Sequence, residues 1–276
     1  MPHRQHKDFS QYLALADRLI ETARSETVRR FRGEAAIFNK AGMWFDPVTD
    51  ADREAERRMR AMITKVYPDH IVLGEEFGTS GGDGGEDGPW RWVIDPVDGT
   101  RAFVCGVPTW TTLIALEHRE RPVMGVIDQP WLDETWTAVA GGETVYRLRG
   151  EETVCTTSGL ADLTKARIST TDPRDTAYFT QKDAGAFARL AAATRIARFS
   201  MDAYAYALLA LGELDIVAET GLHHHDFAAL LPVVEGAGGI ITNWSGEPVG
   251  NDEHGEVLAC ASAPLHEAAL EILNSN

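Results

Sequence analysis

The sequence predicts a mixed fold of the α/β or α+β class, and three observations predict it. Stretches with helical spacing of apolar residues alternate with short strand-like runs along the chain. The 276 residues are 44% hydrophobic, enough for one large core or two closely packed lobes. Strand-like runs between residues 111 and 140, separated by turn residues, read as an antiparallel meander.

Phe9, Tyr12, Leu13, Ala16, Leu19, Ile20 and Ala23 recur at helical spacing, so an amphipathic helix is expected over residues 8–32. A second helix should follow Asp46-Pro47-Val48-Thr49. Ala55, Met59, Met62, Ile63 and Val66 form its apolar stripe, and Pro68 stops it. Residues 71–73 read as a strand ending in Gly74-Glu75-Glu76. Residues 78–88, rich in Gly, Asp and Ser, read as a mobile surface loop whose glycines match no phosphate-loop or dinucleotide fingerprint. Residues 91–94 form a strand running into Asp95, and further strands are expected over 111–117, 123–128 and 134–140. A first lobe, residues 1–150, ends near Gly150, and residues 151–276 form a second lobe that completes the site. Strands are expected there over 166–170, 215–218 and 257–261. Helices are expected over 180–193, 204–211 and 226–236. Pro264 suits the first residue of a final helix to 273.

The formal net charge is −16. Such a surface repels nucleic acid and anionic membrane, and neither is expected as a partner. An anionic small molecule would be repelled too, unless bound divalent cations invert the local field. Solubility alone is the other account of the charge. The three cysteines, Cys105, Cys155 and Cys260, are odd in number and far apart. They predict neither a disulfide framework nor a zinc ribbon, and a reducing cytoplasm fits them. The opening residues 1–8 lack the apolar core of a signal peptide, and no apolar run approaches the roughly 18 residues of a membrane helix. A cytoplasmic location is the expectation. Seven tryptophans are present; Trp110, Trp131 and Trp136 lie in the strand-rich region and are candidates for a dimer face.

The chemistry concentrates in Asp95-Pro96-Val97-Asp98-Gly99-Thr100. A strand end holds Asp95, Pro96 stiffens the turn and removes a donor, and Val97 can offer its carbonyl. Oxygen ligands of this kind suit Mg²⁺. Gly99 and Thr100 open the next helix, where free N–H groups favour a phosphate. An Asx turn followed by a capped helix explains the same residues without a ligand. Three further acids raise the case for a metal. Glu75 follows a buried-looking strand, where an unpaired carboxylate is costly. Asp226 opens a helix after His223-His224-His225, and Asp52 lies in Thr49-Asp50-Ala51-Asp52. Each has a local alternative: a solvated turn at Glu75, an N-cap at Asp226, and a capping box of Thr49 with Asp52.

Asp46-Pro47-Val48-Thr49-Asp50-Ala51-Asp52, Gly74-Glu75-Glu76 and Asp95-Pro96-Val97-Asp98-Gly99-Thr100 together resemble the inositol monophosphatase family. So does His225-Asp226-Phe227-Ala228-Ala229 followed by Glu235-Gly236-Ala237-Gly238-Gly239. The motifs occur in the family's order and span most of the chain. The resemblance implies a layered αβαβα fold, hydrolysis of small phosphate monoesters and two to three Mg²⁺ ions per site, with Mn²⁺ as a substitute. It implies Glu75, Asp95, the Val97 carbonyl, Asp98 and Asp226 as metal ligands. Asp52, Thr100 and Glu75 would be catalytic, with Asp52 and Thr100 orienting or deprotonating the attacking water. Gly99 and Thr100 would bind phosphate through backbone N–H. No covalent phosphoenzyme is expected, and a homodimer is.

Arg101-Ala102-Phe103 resembles the histidinol-phosphate phosphatase branch of that family. So do Pro108-Thr109-Trp110-Thr111-Thr112-Leu113-Ile114-Ala115-Leu116, Gly125-Val126-Ile127-Asp128-Gln129-Pro130 and the run from Asp202 to Ala210. L-Histidinol phosphate carries an ammonium and an imidazole, and Asp202 and Glu219 are the acids the resemblance sets against them. Asp202 as a helix cap is the alternative. Arg101 would orient phosphate or pair with a carboxylate. His223-His224-His225 departs from the branch, which usually has an aromatic just before the Asp. One of the three rings is expected to pack beside the site and the others to be solvated. Two other functions compete: the same chemistry on myo-inositol phosphate, and a non-catalytic phosphate- or metal-binding member of the fold.

Overall fold

Local sequence explains where the first helices stop and start. The structure, a computed structural model, describes residues 8–33, 35–39, 47–83, 85, 88–174, 178–250 and 254–275. Asp46, the first residue of the second helix's lead-in motif, lies outside them. Helix α1 (Ser10–Thr27) buries Tyr12, Leu15, Ala16, Leu19, Ile20 and Ala23. It ends five residues before the expected Arg32. The turn tightens where the Thr27 carbonyl accepts from both Arg30 N–H (3.1 Å) and Phe31 N–H (2.9 Å), Phe31 packs with Val97, Phe103 and Trp110, and Arg32 takes a positive φ of 57°. The hairpin strands β1 (Ile37–Asn39) and β2 (Pro47–Thr49) lead into α2 (Asp50–Val66). Thr49 and Asp52 form the expected capping box: Asp52 accepts the Thr49 backbone N–H, and Thr49 Oγ1 accepts from Ala51 N (3.1 Å).

Strands β3 (Ile71–Gly74), β4 (Gly78–Gly81), β5 (Trp90–Asp98), β6 (Thr111–His118), β7 (Arg121–Gln129), β8 (Glu134–Val139), β9 (Val145–Leu148) and β10 (Glu151–Val154) make an eight-stranded sheet. Its order is β10-β9-β8-β7-β6-β5-β3-β4. The meander is present from β5 to β10, while β3 runs parallel to β5. Short α3 (Thr100–Val104) sits between β5 and β6. The segment expected to be a loop starts as strand β4, paired antiparallel with β3. Its Gly-Thr-Ser-Gly composition has little strand propensity, so pairing with β3 decides its conformation. Gly150 is the turn between β9 and β10, so the first sheet takes in residues 151–154, beyond the expected division.

A second, five-stranded sheet has the order β12-β11-β13-β15-β14. It contains β11 (Arg167–Thr170), β12 (Ile196–Phe199), β13 (Ile216–Glu219), β14 (Ile240–Thr242) and β15 (Val257–Cys260). Its helices are α4 (Gln181–Ala192), α5 (Tyr204–Ala210), α6 (His224–Phe227), α7 (Leu230–Gly236) and α8 (Ala263–Leu273). The single helix expected over 226–236 is broken at Ala228–Ala229. Pro232 lies in the first turn of α7, where a missing N–H is harmless; a continuous helix would set its ring against the Ala228 carbonyl. Pro264 is the second residue of α8, behind the Ser262 cap and Ala263.

Three apolar cores define the layers. Helices α1 and α2 cover one face of the large sheet through Leu19, Met59, Trp92 and Ile114. Helices α5 and α7 fill the space between the two sheets, with Tyr206 and Val233 against Val93, Ile127, Val217 and Ala259. Helices α4 and α8 cover the outer face of the small sheet through Phe187 and Leu265. The order helix, sheet, helix, sheet, helix is the expected αβαβα arrangement. Trp136, in the core between the sheets, and Trp110, in the smaller cluster with Phe31 and Phe103, are fully buried and offer no dimer face, whereas Trp131 is 41% exposed. No helix among the described residues is long and apolar enough to cross a membrane.

Candidate active site

The end of β5 builds the centre of the site. The pairing register of β5 with β6 breaks between Asp95 and Asp98, which frees the intervening backbone from the ladder. Asp95 Oδ1 accepts from Val97 N–H (3.0 Å), and Thr112 Oγ1 donates to the Pro96 carbonyl (2.7 Å). The Asx turn weighed as an alternative is therefore present, and Asp95 still faces the other acids. Gly99 turns the chain at φ 80° into α3. A Cβ there would also lie 2.8 Å from Asp202 Oδ2, so close approach as well as φ demands glycine.

One carboxylate oxygen from each of Asp95, Asp98 and Asp226 lies within 4.8 Å of the others. Asp226 arrives from α6, as the third helical residue behind the His223 cap rather than as the cap itself. Burial, reinforced by Glu75, Asp98 and Asp226, holds the Asp95 carboxyl well above the usual carboxylate range. Burial, then Asp202 and Asp226, does the same to Asp98, against the Ala203 N–H that donates to Asp98 Oδ2 (2.7 Å). Like charges packed this way persist only if protonated or gathered around a cation. The donors are all oxygen, a set that fits a hard divalent ion such as Mg²⁺.

Glu75 and Asp52 are both positioned from α2. Glu56, one turn after Asp52, accepts the backbone N–H of Glu76 (2.7 Å) and of Phe77 (3.2 Å), and Arg60 Nε donates to it (2.6 Å). This fixes the turn that carries Glu75 beside Asp95. A Cβ on Gly74 would meet Glu56 Oε1 at 2.2 Å. Asp52 serves the capping box with one oxygen and approaches Thr100 Oγ1 (3.3 Å) with the other. The Thr100 hydroxyl also faces the Val97 carbonyl (3.1 Å). Burial first, then Glu75 and Glu76, pushes the Asp52 carboxyl up to about 7.

Glu75, Asp95, Asp98 and Asp226 border a cavity of about 640 Å³, lined also by Arg101, Asp202, Glu219, His223 and His225. Asp202 does not cap a helix. It adopts φ 49°, α5 begins at Tyr204 behind an Ala203 cap, and the Asp202 carboxyl turns toward Gly99. Burial, then Glu219, pushes it up to about 7. Glu219 ties β13 to its neighbours: it accepts from Thr171 N (2.9 Å) and from the Tyr206 hydroxyl (3.1 Å). Those bonds leave it less free for a ligand than Asp202. Arg101 is exposed, with its guanidinium 4.9 Å from the Tyr178 ring centre. The histidines divide otherwise than expected: His223 and His225 both line the cavity, and His224 turns back to the sheet. Sequence reasoning missed Glu56, Arg60 and the Ala203 N–H. The only local sign of the first two was their helical spacing from Asp52; the third had none.

The model of the inositol monophosphatase family matches residues 9–276. The bifunctional phosphatase IMPL2 of Arabidopsis thaliana is 36% identical over 96% of this chain and 76% of that protein. A histidinol-phosphatase of Streptomyces coelicolor is 34% identical over 97% of this chain and 98% of its own length. A solved inositol monophosphatase from Zymomonas mobilis superposes with a TM-score of 0.84 at 37% identity, covering 98% of this chain and 100% of the other. The chain belongs to the inositol monophosphatase family and is a phosphoric monoester hydrolase.

Proposed function

We propose that the chain hydrolyses L-histidinol phosphate to L-histidinol and phosphate, a step of histidine biosynthesis, and that it requires Mg²⁺. The observation that carries the substrate is Asp202. Its carboxylate stands against Gly99, beside the acids that would hold the metal, where it would meet a cationic group one short reach from the phosphate. A charge-assisted hydrogen bond to the substrate ammonium offsets the burial of that acid. The likeness to curated histidinol-phosphatases supports the same choice.

Glu75, Asp95, the Val97 carbonyl, Asp98 and Asp226 are the residues proposed to hold the metal. Two or three Mg²⁺ ions would supply charge neutralisation at the phosphoryl group and a lowered pKa for water. The backbone N–H groups of Gly99 and Thr100 hold the phosphate. The Thr100 hydroxyl, between the Val97 carbonyl and Asp52, orients the attacking water. Its proton passes through Thr100 to Asp52 Oδ1, a carboxylate whose elevated pKa suits a general base near neutrality. Mn²⁺ is expected to substitute, and the working unit is expected to be a homodimer in the cytoplasm.

A second reading keeps this chemistry and changes the substrate to myo-inositol phosphate, favoured by the 37% identical inositol monophosphatase of Zymomonas mobilis. Parallel phosphate-release assays with Mg²⁺ separate the two. kcat/KM is expected to favour L-histidinol phosphate by at least about tenfold, the scale of one hydrogen bond to a charged group. Asp202→Asn should remove most of that preference through KM. A wild-type preference for inositol phosphate overturns the substrate assignment and leaves the reaction class standing.

A further inference from the structure

The middle histidine of His223-His224-His225 has no part in the cavity, yet it is fixed from two sides. Its Nε2 lies 2.7 Å from Glu117 Oε1, and its ring meets Phe227 edge-on at 5.1 Å. Glu117 is fully buried on β6, and Arg91, its cross-strand partner on β5, donates Nε–H to Glu117 Oε2 (2.6 Å). The two oxygens of one buried carboxylate are thus divided between the sheet and α6. Because a carboxylate only accepts, the His224 Nε2 proton points at Glu117. Arg91 Nη2, 3.2 Å from the same nitrogen, borders the contact.

Geometry links this contact to the acids. Side chains on β5 alternate between faces. Val93 belongs to the core between the two sheets, whereas Trp92 and Ile94 face α1 and α2. Arg91 and Asp95 therefore share the face toward α6 with Val93. Helix α6 is four residues long and carries His224 at its start and Asp226 two residues on. A helix this short has little hydrogen-bonding of its own to hold it. Its position comes from what its side chains grip.

We propose that His224 is a positioning residue: through Glu117 and Arg91 it anchors α6 to the large sheet and holds Asp226 at the distance from Asp95 and Asp98 that a shared divalent cation requires. This rests on the proposed role of Asp226 as a metal ligand. It also gives a reason for a histidine at a place where the apolar packing of α6 alone would not need one. Partners one step behind a metal ligand typically change affinity or activity by 10–100-fold.

The test is binding of Mn²⁺ alone to the full-length protein, followed by electron paramagnetic resonance, together with kcat and KM in Mg²⁺. His224→Ala is expected to weaken Mn²⁺ binding by about tenfold or more. His224→Gln, whose amide can donate the same bond to Glu117, is expected to restore most of it. KM for substrate at saturating Mg²⁺ should change little. Folded His224→Ala protein that binds Mn²⁺ as wild type does overturns the inference, and so does an equal loss in the alanine and glutamine variants. If the alanine variant does not fold, Glu117→Gln replaces it, with a weakened Mn²⁺ affinity expected and an unchanged one contradicting the proposal. Wild-type protein that binds no Mn²⁺ refutes the metal reading itself, which is a different result from an unaltered His224 variant.

Discussion

Asp98→Asn is expected to lower kcat for phosphate release by about a thousandfold, about 4 kcal/mol of transition-state stabilisation, and to leave the protein folded. The carboxylate sits among Asp95, Asp202, Asp226 and Glu219, so its charge is the part a cation needs and the part the metal-free fold resists. Asparagine has nearly the same shape, and its oxygen can still accept the Ala203 N–H that reaches Asp98 at 2.7 Å. Loss of a buried like charge should raise the melting temperature of the metal-free protein by a few degrees, roughly 2–4 °C per kcal/mol at this chain length. Steady-state kinetics and a thermal melt in EDTA check both halves. Turnover near that of wild type would remove Asp98 from the metal site. A catalytically silent wild type across a panel of phosphomonoesters would instead favour the non-catalytic reading.

Mg²⁺ is expected to raise the melting temperature most at neutral and alkaline pH, and hardly at all near pH 5. Asp52 and Asp202 have folded-state values pushed up to about 7, and Asp95 and Asp98 are held well above their ordinary value. A carboxyl raised in the folded state binds more protons there than in the unfolded chain. Its contribution to stability is intact below the unfolded value and is lost as pH rises through the folded one. For Asp52 alone, a rise to about 7 corresponds to roughly 4 kcal/mol. The metal-free protein should therefore weaken between about pH 4 and about pH 7. A bound cation reverses this by favouring the ionised carboxylates, and the difference between melts in Mg²⁺ and in EDTA should widen over the same window. A constant difference across pH 5 to 8 would show that Asp95 and Asp98 do not bind the ion.

The fold was legible where periodicity and punctuation agreed. The apolar stripe of α1, the capping box opening α2 and the strand running into Asp95 are all local signals. The parts that were not legible depend on partners distant in sequence. Strand β4 is Gly-Thr-Ser-Gly and becomes a strand only by pairing with β3. Strand β12 is a mostly exposed edge strand and β14, at the other edge, is three residues long, so neither shows a clear apolar pattern. The break between α6 and α7 was signalled by Pro232 but overridden by the apolar run around it. In the candidate site, Asp95, Asp98 and Asp226 stood out by residue type and motif, and one oxygen of each lies within 4.8 Å of the others. The residues that hold the site were not. Glu56 acts across 20 residues on the turn bearing Glu75, and Glu117 meets His224 across 107. Asp52 and Asp95 both make the local hydrogen bonds their sequence context offers, and each also reaches a residue distant in sequence: Asp52 the Thr100 hydroxyl, Asp95 the Asp226 carboxylate.

The most direct test of the account is release of phosphate from L-histidinol phosphate by protein freed of metal with EDTA, then titrated with Mg²⁺. Activity is expected to be negligible without the ion, to rise saturably with Mg²⁺, and to stay near background in Asp98→Asn at every concentration. Full activity in EDTA, or a wild-type protein that remains inactive on this substrate at saturating Mg²⁺, would contradict it.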